Sequence, residues 1–308
     1  MQHEYLSASN LAEALLWAAQ KPASMFVAGG TDVMVNRQQG NVEAATLIDI
    51  SALEELKTAE IQQDNMVVGA LCTLAELERN TFIVSHFPAL AEALRSVATP
   101  VLRQTATIGG NLLCDNRCSF YNQSEWWRKA VGYCLKCNGD ICIATGGKKN
   151  CFSKFVSDTA PVLIALRASV ELIQGNEARI IPLSDMYSGD GVNPHAKPSD
   201  TLLSRIHIPT TTGARVTFRK LRPRKTLDFT SLTTALALFP DGSLRAVIGG
   251  VDPRPVVVEG RADAPQEDFI ALCAKKPRVV DNDFYSRAYR KDMISHFIKD
   301  SLQEILKP

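Results

Sequence analysis

The chain has little net charge, no long apolar run and no obvious address. Its formal net charge over 308 residues is +1. That excludes the broad basic field by which many nucleic-acid binders work, and no nucleic-acid partner is expected. No stretch approaches eighteen consecutive apolar residues, so no membrane span is expected. The opening segment MQHEYLSASNLAEALLWAAQ lacks a basic region followed by an apolar core and a small-residue cleavage site. No signal peptide is expected there, and the cytoplasm is the expected compartment. Internal repeats and low-complexity tracts are also missing. What remains is an ordinary globular composition, 45% hydrophobic and 22% charged, on a chain long enough for two or three compact units.

Against this background the cysteines are crowded. Six of the eight lie between Cys114 and Cys151, in a polar stretch with no clear helix or strand period. Disulfides are uncommon in a reducing compartment, so such a group points to a metal ion or a cluster. A long segment without regular structure needs a source of ordering free energy, and an inorganic core supplies it. Four thiolates are required and Cys114, Cys118, Cys134, Cys137, Cys142 and Cys151 are on offer, so composition leaves both the ligand set and the choice between zinc and iron–sulfur open. Phe120, Tyr121, Trp126 and Trp127 lie among them, as shielding, as a docking face or as local packing. Cys72 and Cys273 stand apart in apolar helical patterns and read as small buried hydrophobes.

Elsewhere the pattern is mixed. A helix is expected over 9–20, capped by Ser9 or Asn10 and stopped at Lys21-Pro22. Strands are expected at 25–28, 46–50 and 66–73, helices near 74–80 and over 88–99, and a helix followed by a strand within 155–173. A strand and turn follow over 179–187, a polar loop over 188–200, and an edge strand over 202–209 closed by Pro209. Beyond a boundary at 210–214, four alternating or apolar runs predict a small antiparallel sheet, and helices are expected within 264–276 and 283–306. The fold class is therefore α+β.

Two glycine pairs, Gly29-Gly30-Thr31-Asp32 after a strand and Gly109-Gly110-Asn111 after a β-branched run, share one logic. Such turns let successive amides point one way and cradle an anion such as a pyrophosphate, with Thr31 and Asn111 adding hydrogen bonds. Neither turn matches GxGxxG or GxxxxGK[ST], and each alone reads as a tight turn. The five histidines, His3, His86, His195, His207 and His296, are scattered, and no constellation demands a substrate acid or base.

The segments AGGTDV (28–33), TATIGGN (105–111), SDTAPVLIAL (157–166), FRKLRPRKTLDF (218–229) and SRAYRKDM (286–293) together resemble, in order, the FAD-binding medium subunit of the xanthine dehydrogenase, or molybdenum hydroxylase, family. The loop RCSFYNQSEWWRKAVGYCLK, followed by GDIC and Cys151, is most similar to the β subunit of 4-hydroxybenzoyl-CoA reductases, which carries an inserted 4Fe–4S loop. The resemblance implies a two-subdomain FAD-binding domain of the PCMH type over 1–213, divided into about 1–55 and 56–213 with the cluster loop inserted at 114–154. A small C-terminal domain of antiparallel sheet and helices would fill 214–308.

It further implies that Ala28, Gly29, Gly30, Thr31, Asp32 and Val33 form one FAD loop, and Thr107, Gly109, Gly110 and Asn111 the other. Asp158 would face the flavin nucleotide, and Lys220 and Asp228 would approach the ring. The implied cluster ligands are Cys118, Cys134, Cys142 and Cys151, leaving Cys114 and Cys137 over. Implied partners are a molybdenum-cofactor subunit and a 2Fe–2S subunit, in a dimer of heterotrimers, with ferredoxin as electron donor. The implied reaction is reductive dehydroxylation of 4-hydroxybenzoyl-CoA to benzoyl-CoA, with the substrate handled on another subunit. The competing expectations are a flavin subunit of a related hydroxylase that oxidises an aldehyde or N-heterocycle, and a zinc-stapled binding module with no redox role.

Overall fold

The computed structural model describes residues 4–307 and is built around three sheets. Strands β1 (Glu4–Ser7), β2 (Ser24–Val27) and β3 (Thr46–Asp49) form a parallel sheet in the order β1-β3-β2. The helix Leu11–Gln20 crosses between the first two. Asn10 caps it by accepting a hydrogen bond from the Glu13 amide, and Ala14, Leu15 and Ala18 bury the core-facing stripe. No sequence pattern predicts strand β1, because EYLS is almost wholly exposed and carries no alternation.

Strands β4 (Ala59–Gln62), β5 (Asn65–Gly69), β6 (Ser169–Gln174), β7 (Glu177–Pro182) and β8 (Leu202–Pro209) form an antiparallel sheet ordered β4-β5-β8-β6-β7. This corrects the expectation for 202–209. The strand is central, not an edge. Its Pro209 sits at the last residue, where the missing N–H removes nothing the ladder needs. The helices Pro88–Ser96 and Thr159–Ala165, buried along most of their length, fill a core shared by this sheet (Val68, Ile206, Ile208) and the C-terminal strands (Phe218, Ala235, Val247). Two further expectations change. Cys72 is buried, but it follows β5 in a turn and not in a helix; Cys273 is helical as expected. Gly109 and Gly110 do not form a turn after the β-branched run. They lie in the short helix Ile108–Leu112, which Thr107 caps by accepting from the Gly110 amide at 3.1 Å.

Strands β9 (Arg215–Leu221), β10 (Leu232–Leu238), β11 (Ser243–Gly249) and β12 (Val256–Arg261) make an antiparallel meander, as expected. The helices Gln266–Lys275 and Arg287–Ile305 cover one face, burying Phe269, Cys273, Ile294, Ile298 and Leu302 against Leu236, Ala246 and Ile248. No helix among the described residues is long and apolar enough to cross a membrane.

Candidate functional site

The first glycine loop leaves β2 at its C-terminal end and runs into the short helix Val33–Gln38. Gly29 is required by contact. A Cβ there would lie 1.9 Å from the Thr105 carbonyl oxygen, so the backbone of the first loop rests directly on the segment that leads into the second. Among the described residues no acceptor meets the amides of Gly29, Gly30, Thr31 or Asp32. Four half-buried donors with no partner on one turn are the electrostatics of an anion cradle.

Other residues that the resemblance assigns to the nucleotide lie near this pair of loops. Asn111 Oδ1 accepts from Ser157 Oγ at 2.8 Å and Thr159 Oγ1 at 2.7 Å, tying the second loop to the 157–159 segment. Asp158 is buried and pairs with Lys220 Nζ at 2.6 Å, while the same ammonium donates to the Ser96 carbonyl at 3.0 Å. Burial pushes the Asp158 carboxyl up and the Lys220 ammonium down, each toward neutrality, and their mutual attraction opposes both shifts. Asp228 is bound to Arg224 through its amide at 2.7 Å and its Nε at 3.0 Å, and contributes a further negative charge near Lys220. Asp32 is held by Arg117, whose guanidinium also lies 4.3 Å from the ring centroid of Phe229. Arg117 Nε is buried without a partner. Thus one side chain from the cysteine-rich stretch joins the first glycine loop to the 218–229 segment, a link no sequence pattern signalled.

The cysteine-rich stretch is closed at its base by a single antiparallel bridge. The Arg117 amide donates to Lys154 O at 2.9 Å, and the Lys154 amide donates back to Arg117 O at 2.7 Å. Asn282, fully buried, grips both sides of this pair. Its carbonyl accepts from the Ser119 amide at 3.1 Å and its Nδ2 donates to Phe152 O at 2.5 Å, one residue beyond Cys118 and Cys151 respectively. Arg290 fixes Asn282 Oδ1 at 3.0 Å, and the buried Lys154–Asp283 pair closes the joint. Between these ends the chain is not formless. A helix, Glu125–Val131, forms behind its Ser124 cap, and the buried Arg128 ties it to Asn41 Oδ1 and the Gln39 carbonyl near the first glycine loop.

This topology separates the six thiols. Cys118, Cys134, Cys142 and Cys151 are all buried in one neighbourhood, where the charge of one thiolate is felt by the next: Cys118 by Cys151 and Cys134, Cys151 by Cys142. Burial pushes the Cys118 thiol up to about 11 and raises that of Cys151, which nevertheless accepts a hydrogen bond from the Ser153 amide at 3.5 Å. Cys137 is half-buried and packs against the cluster of Cys118, Tyr121 and Cys134. Cys114 is buried elsewhere, beside Asp32, Arg117 and Asp158 on the glycine-loop side, and burial holds its thiol well above the ordinary range. No three His, Cys, Asp or Glu side chains among the described residues converge closely enough to hold a single metal ion. Four buried thiols match in donor type and number both an iron–sulfur cluster and a structural zinc site.

The aromatic residues divide. Tyr121 is buried with Cys118 and Cys134, whereas Trp126 is 78% exposed. Of the histidines, His86 stacks on Phe82 and His296 lies 3.3 Å from Asp300, but His195 and His207 leave buried Nε2 atoms unpartnered, so neither is fully satisfied. His3 lies outside the described residues.

Comparison with known proteins settles the family. Residues 1–211 match the family described as the FAD-binding domain in molybdopterin dehydrogenase. The chain belongs to this family. The FAD-binding subunit PaoB of the aldehyde oxidoreductase of Escherichia coli is 30% identical over 269 residues, covering 82% of each chain. The xanthine dehydrogenase FAD-binding subunit of Escherichia coli O157:H7 is 25% identical over 259 residues, covering 82% of this chain and 75% of the relative. Among solved structures, a reconstituted CO dehydrogenase from Oligotropha carboxidovorans superimposes with a TM-score of 0.78 at 19% identity, covering 99% of this chain and 98% of that one. Quinoline 2-oxidoreductase from Pseudomonas putida 86 does so with 0.74 at 16%, covering 98% and 96%. These last two show the fold, and the molecule is an FAD-binding subunit of the molybdenum-dependent oxidoreductases with an α+β architecture.

Proposed function

We propose that this FAD-binding subunit is a two-centre electron relay, with FAD on the paired glycine loops and a 4Fe–4S cluster on Cys118, Cys134, Cys142 and Cys151. The observation that carries the cluster is the burial of these four thiols near one another, with Cys114 buried toward the first glycine loop and Cys137 only half-buried. In this reading residues 1–213 are the flavin-binding unit, interrupted by the cluster loop at 114–154, and 214–308 the C-terminal unit. Ala28 to Val33 meet the pyrophosphate region through the unpartnered amides of Gly29 to Asp32, while Thr107, Gly109, Gly110 and Asn111, whose last three amides are bonded to Ala70 O, Thr107 Oγ1 and Thr107 O, flank it from the second loop. Asp158, Lys220 and Asp228 set charge toward the ring. When bound, FAD supplies one- and two-electron chemistry and the cluster one-electron chemistry. This chain's own residues bind and orient: Thr107 holds the second loop's helical start, Asn111 fixes it to 157–159, and Arg117 locks Asp32 while spanning toward Phe229.

The partners in this reading are a molybdenum-cofactor subunit and a 2Fe–2S subunit, with ferredoxin as donor. The overall reaction is reductive dehydroxylation of 4-hydroxybenzoyl-CoA, which the loop FYNQSEWWR with its cysteines favours. A second reading, oxidation of an aldehyde or N-heterocycle by a related complex, is favoured by the relatives, which include FAD-binding subunits named for aldehyde oxidoreductase, xanthine dehydrogenase and nicotinate dehydrogenase. Assay of the anaerobically purified complex with 4-hydroxybenzoyl-CoA and a low-potential donor separates them. Dehydroxylation is expected; its absence alongside aldehyde or heterocycle oxidation selects the second reading. Iron, sulfide and flavin analysis of the same material tests both centres, and a colourless protein with stoichiometric zinc rejects the relay.

A further inference from the structure

We propose that Lys136, clamped between Asp115 and the Gly191 carbonyl, is the fixed charge that sets the reduction potential of the cysteine-held cluster. The inference rests on the cluster reading above and concerns a residue to which that reading gives no role.

Lys136 lies on the single turn Leu135–Cys137, between two thiols. Its side chain is only 5% exposed. The ammonium donates to Asp115 Oδ1 at 2.8 Å and to Gly191 O at 2.8 Å, and it stands 5.1 Å from the ring centroid of Tyr121. Each of these neighbours is itself part of the thiol site. Tyr121 packs with Cys118 and Cys134. The Gly191 amide donates to Cys151 O at 3.1 Å, and a Cβ on Gly191 would fall 2.8 Å from Cys151 Sγ. The loop around Gly191 therefore closes on the thiols because it has no side chain there, and its carbonyl holds the ammonium over them. Ser153 Oγ donates to the same carbonyl at 2.8 Å, which leaves Gly191 little freedom to move.

The charge arithmetic gives the arrangement a purpose. Burying an ammonium is costly unless opposite charge compensates it. Lys136 has one carboxylate partner, Asp115, which remains one-quarter exposed. A cluster held by four thiolates is net negative and completes the compensation. One electron taken up from a low-potential one-electron donor makes the cluster more negative by one unit, with no atom transferred. A fixed cation nearby then stabilises the reduced state more than the oxidised one, and the potential rises. Asp115 acts in the opposite sense. Its backbone amide also donates to Asp32 Oδ2 at 3.2 Å, so the pair stands on the side of the thiol site that faces the first glycine loop. Other cations share the neighbourhood: Arg128 lies 5.9 Å from the Tyr121 ring centroid, and Lys154 and Arg290 feel the charge of Cys118. Both Lys154 and Arg290 are committed to the 280–283 joint and differ from Lys136 in that respect.

The test is an anaerobic redox titration of the full chain, followed by the electron paramagnetic resonance of the cluster, with dithionite as donor and the flavin couple as internal reference. Lys136→Met is expected to retain iron and shift the cluster couple to lower potential; Asp115→Asn is expected to shift it to higher potential; the flavin couple should move less than the cluster in both. An unmoved cluster couple in Lys136→Met, or a downward shift in Asp115→Asn, overturns the proposal. If Lys136→Met fails to hold iron, Asp115→Asn decides alone, an upward shift supporting the proposal and no shift overturning it. A wild-type chain that takes up no iron while binding FAD sinks the cluster reading itself, an outcome distinct from a cluster indifferent to Lys136.

Discussion

The C-terminal unit and the cysteine-rich insertion achieve order by opposite means. The C-terminal sheet and its two helices enclose fifteen buried apolar side chains, whereas the insertion has a local apolar cluster of three, Cys118, Tyr121 and Cys134. Burial of apolar area at about 25 cal/mol per Å² is enough to order the first. The second leans on Arg117, Arg128, Lys136, Lys154 and Asn282, each bonded to residues outside its own segment. Such polar joints fix geometry more than they add stability, because each hydrogen bond is worth only about 1 kcal/mol net. The difference teaches that the cysteine-rich stretch is ordered by polar joints to the rest of the chain, and the C-terminal sheet by apolar burial on both of its faces.

That contrast can be broken or sharpened experimentally. The largest effect is expected from the thiols. Cys118→Ser, Cys134→Ser, Cys142→Ser and Cys151→Ser should each abolish iron binding while FAD remains, and Cys114→Ser and Cys137→Ser should retain both. Iron loss from Cys137→Ser with retention in Cys134→Ser would reassign the site. Next comes Ile298→Ala, a truncation in the C-terminal core, which should cost about 2–5 kcal/mol in denaturant unfolding without changing the iron-to-flavin ratio. A parallel loss of iron would show that the two regions are not independent.

A smaller, pH-dependent effect is expected at His195, next to the loop that closes over Cys151. Burial, with Lys197 and Lys136 adding repulsion, lowers this imidazole to about 3 from an ordinary 6.5. The folded state keeps it neutral while the unfolded chain protonates it. Stability is therefore fully present above 6.5 and is lost as pH falls from there toward 3, by about 1.4 kcal/mol for each pH unit. Melting curves of His195→Gln should show a flatter acid limb than the wild type; an unchanged limb would refute the assignment. The smallest effect belongs to Trp126→Ala, on the exposed side of the insertion helix, which should change stability by under about 0.5 kcal/mol. A larger loss, read by thermal melting, would mean the helix is packed more tightly than its exposure indicates.

Much of the scaffold was readable in advance because its signals are local. The cap at Asn10, the stripe of Ala14, Leu15 and Ala18, and the four runs of the late meander declare themselves within a few residues. Strand order is not local. Nothing in LLSRIHIP distinguishes a central strand from an edge strand, and Pro209 pointed the wrong way. The candidate site was legible as residue types: glycine pairs, clustered cysteines and a family likeness. Gly191 and Asn282 carried no signal, since one glycine in a polar loop and one asparagine before a helix are unremarkable until their neighbours are known.

Sequence by itself determined the kinds of group available: two backbone loops able to meet an anion, six crowded thiols, and enough apolar residues for an α+β core. Tertiary structure decided which of those groups meet. It buried Cys118, Cys134, Cys142 and Cys151 near one another, turned Cys114 toward Asp32, left Cys137 half-buried, and brought Lys136 under Gly191. The physical reason is range. Caps, turns and periodicity act over a few residues along the chain, whereas burial and ion pairing depend on distances through space that only the packed fold sets.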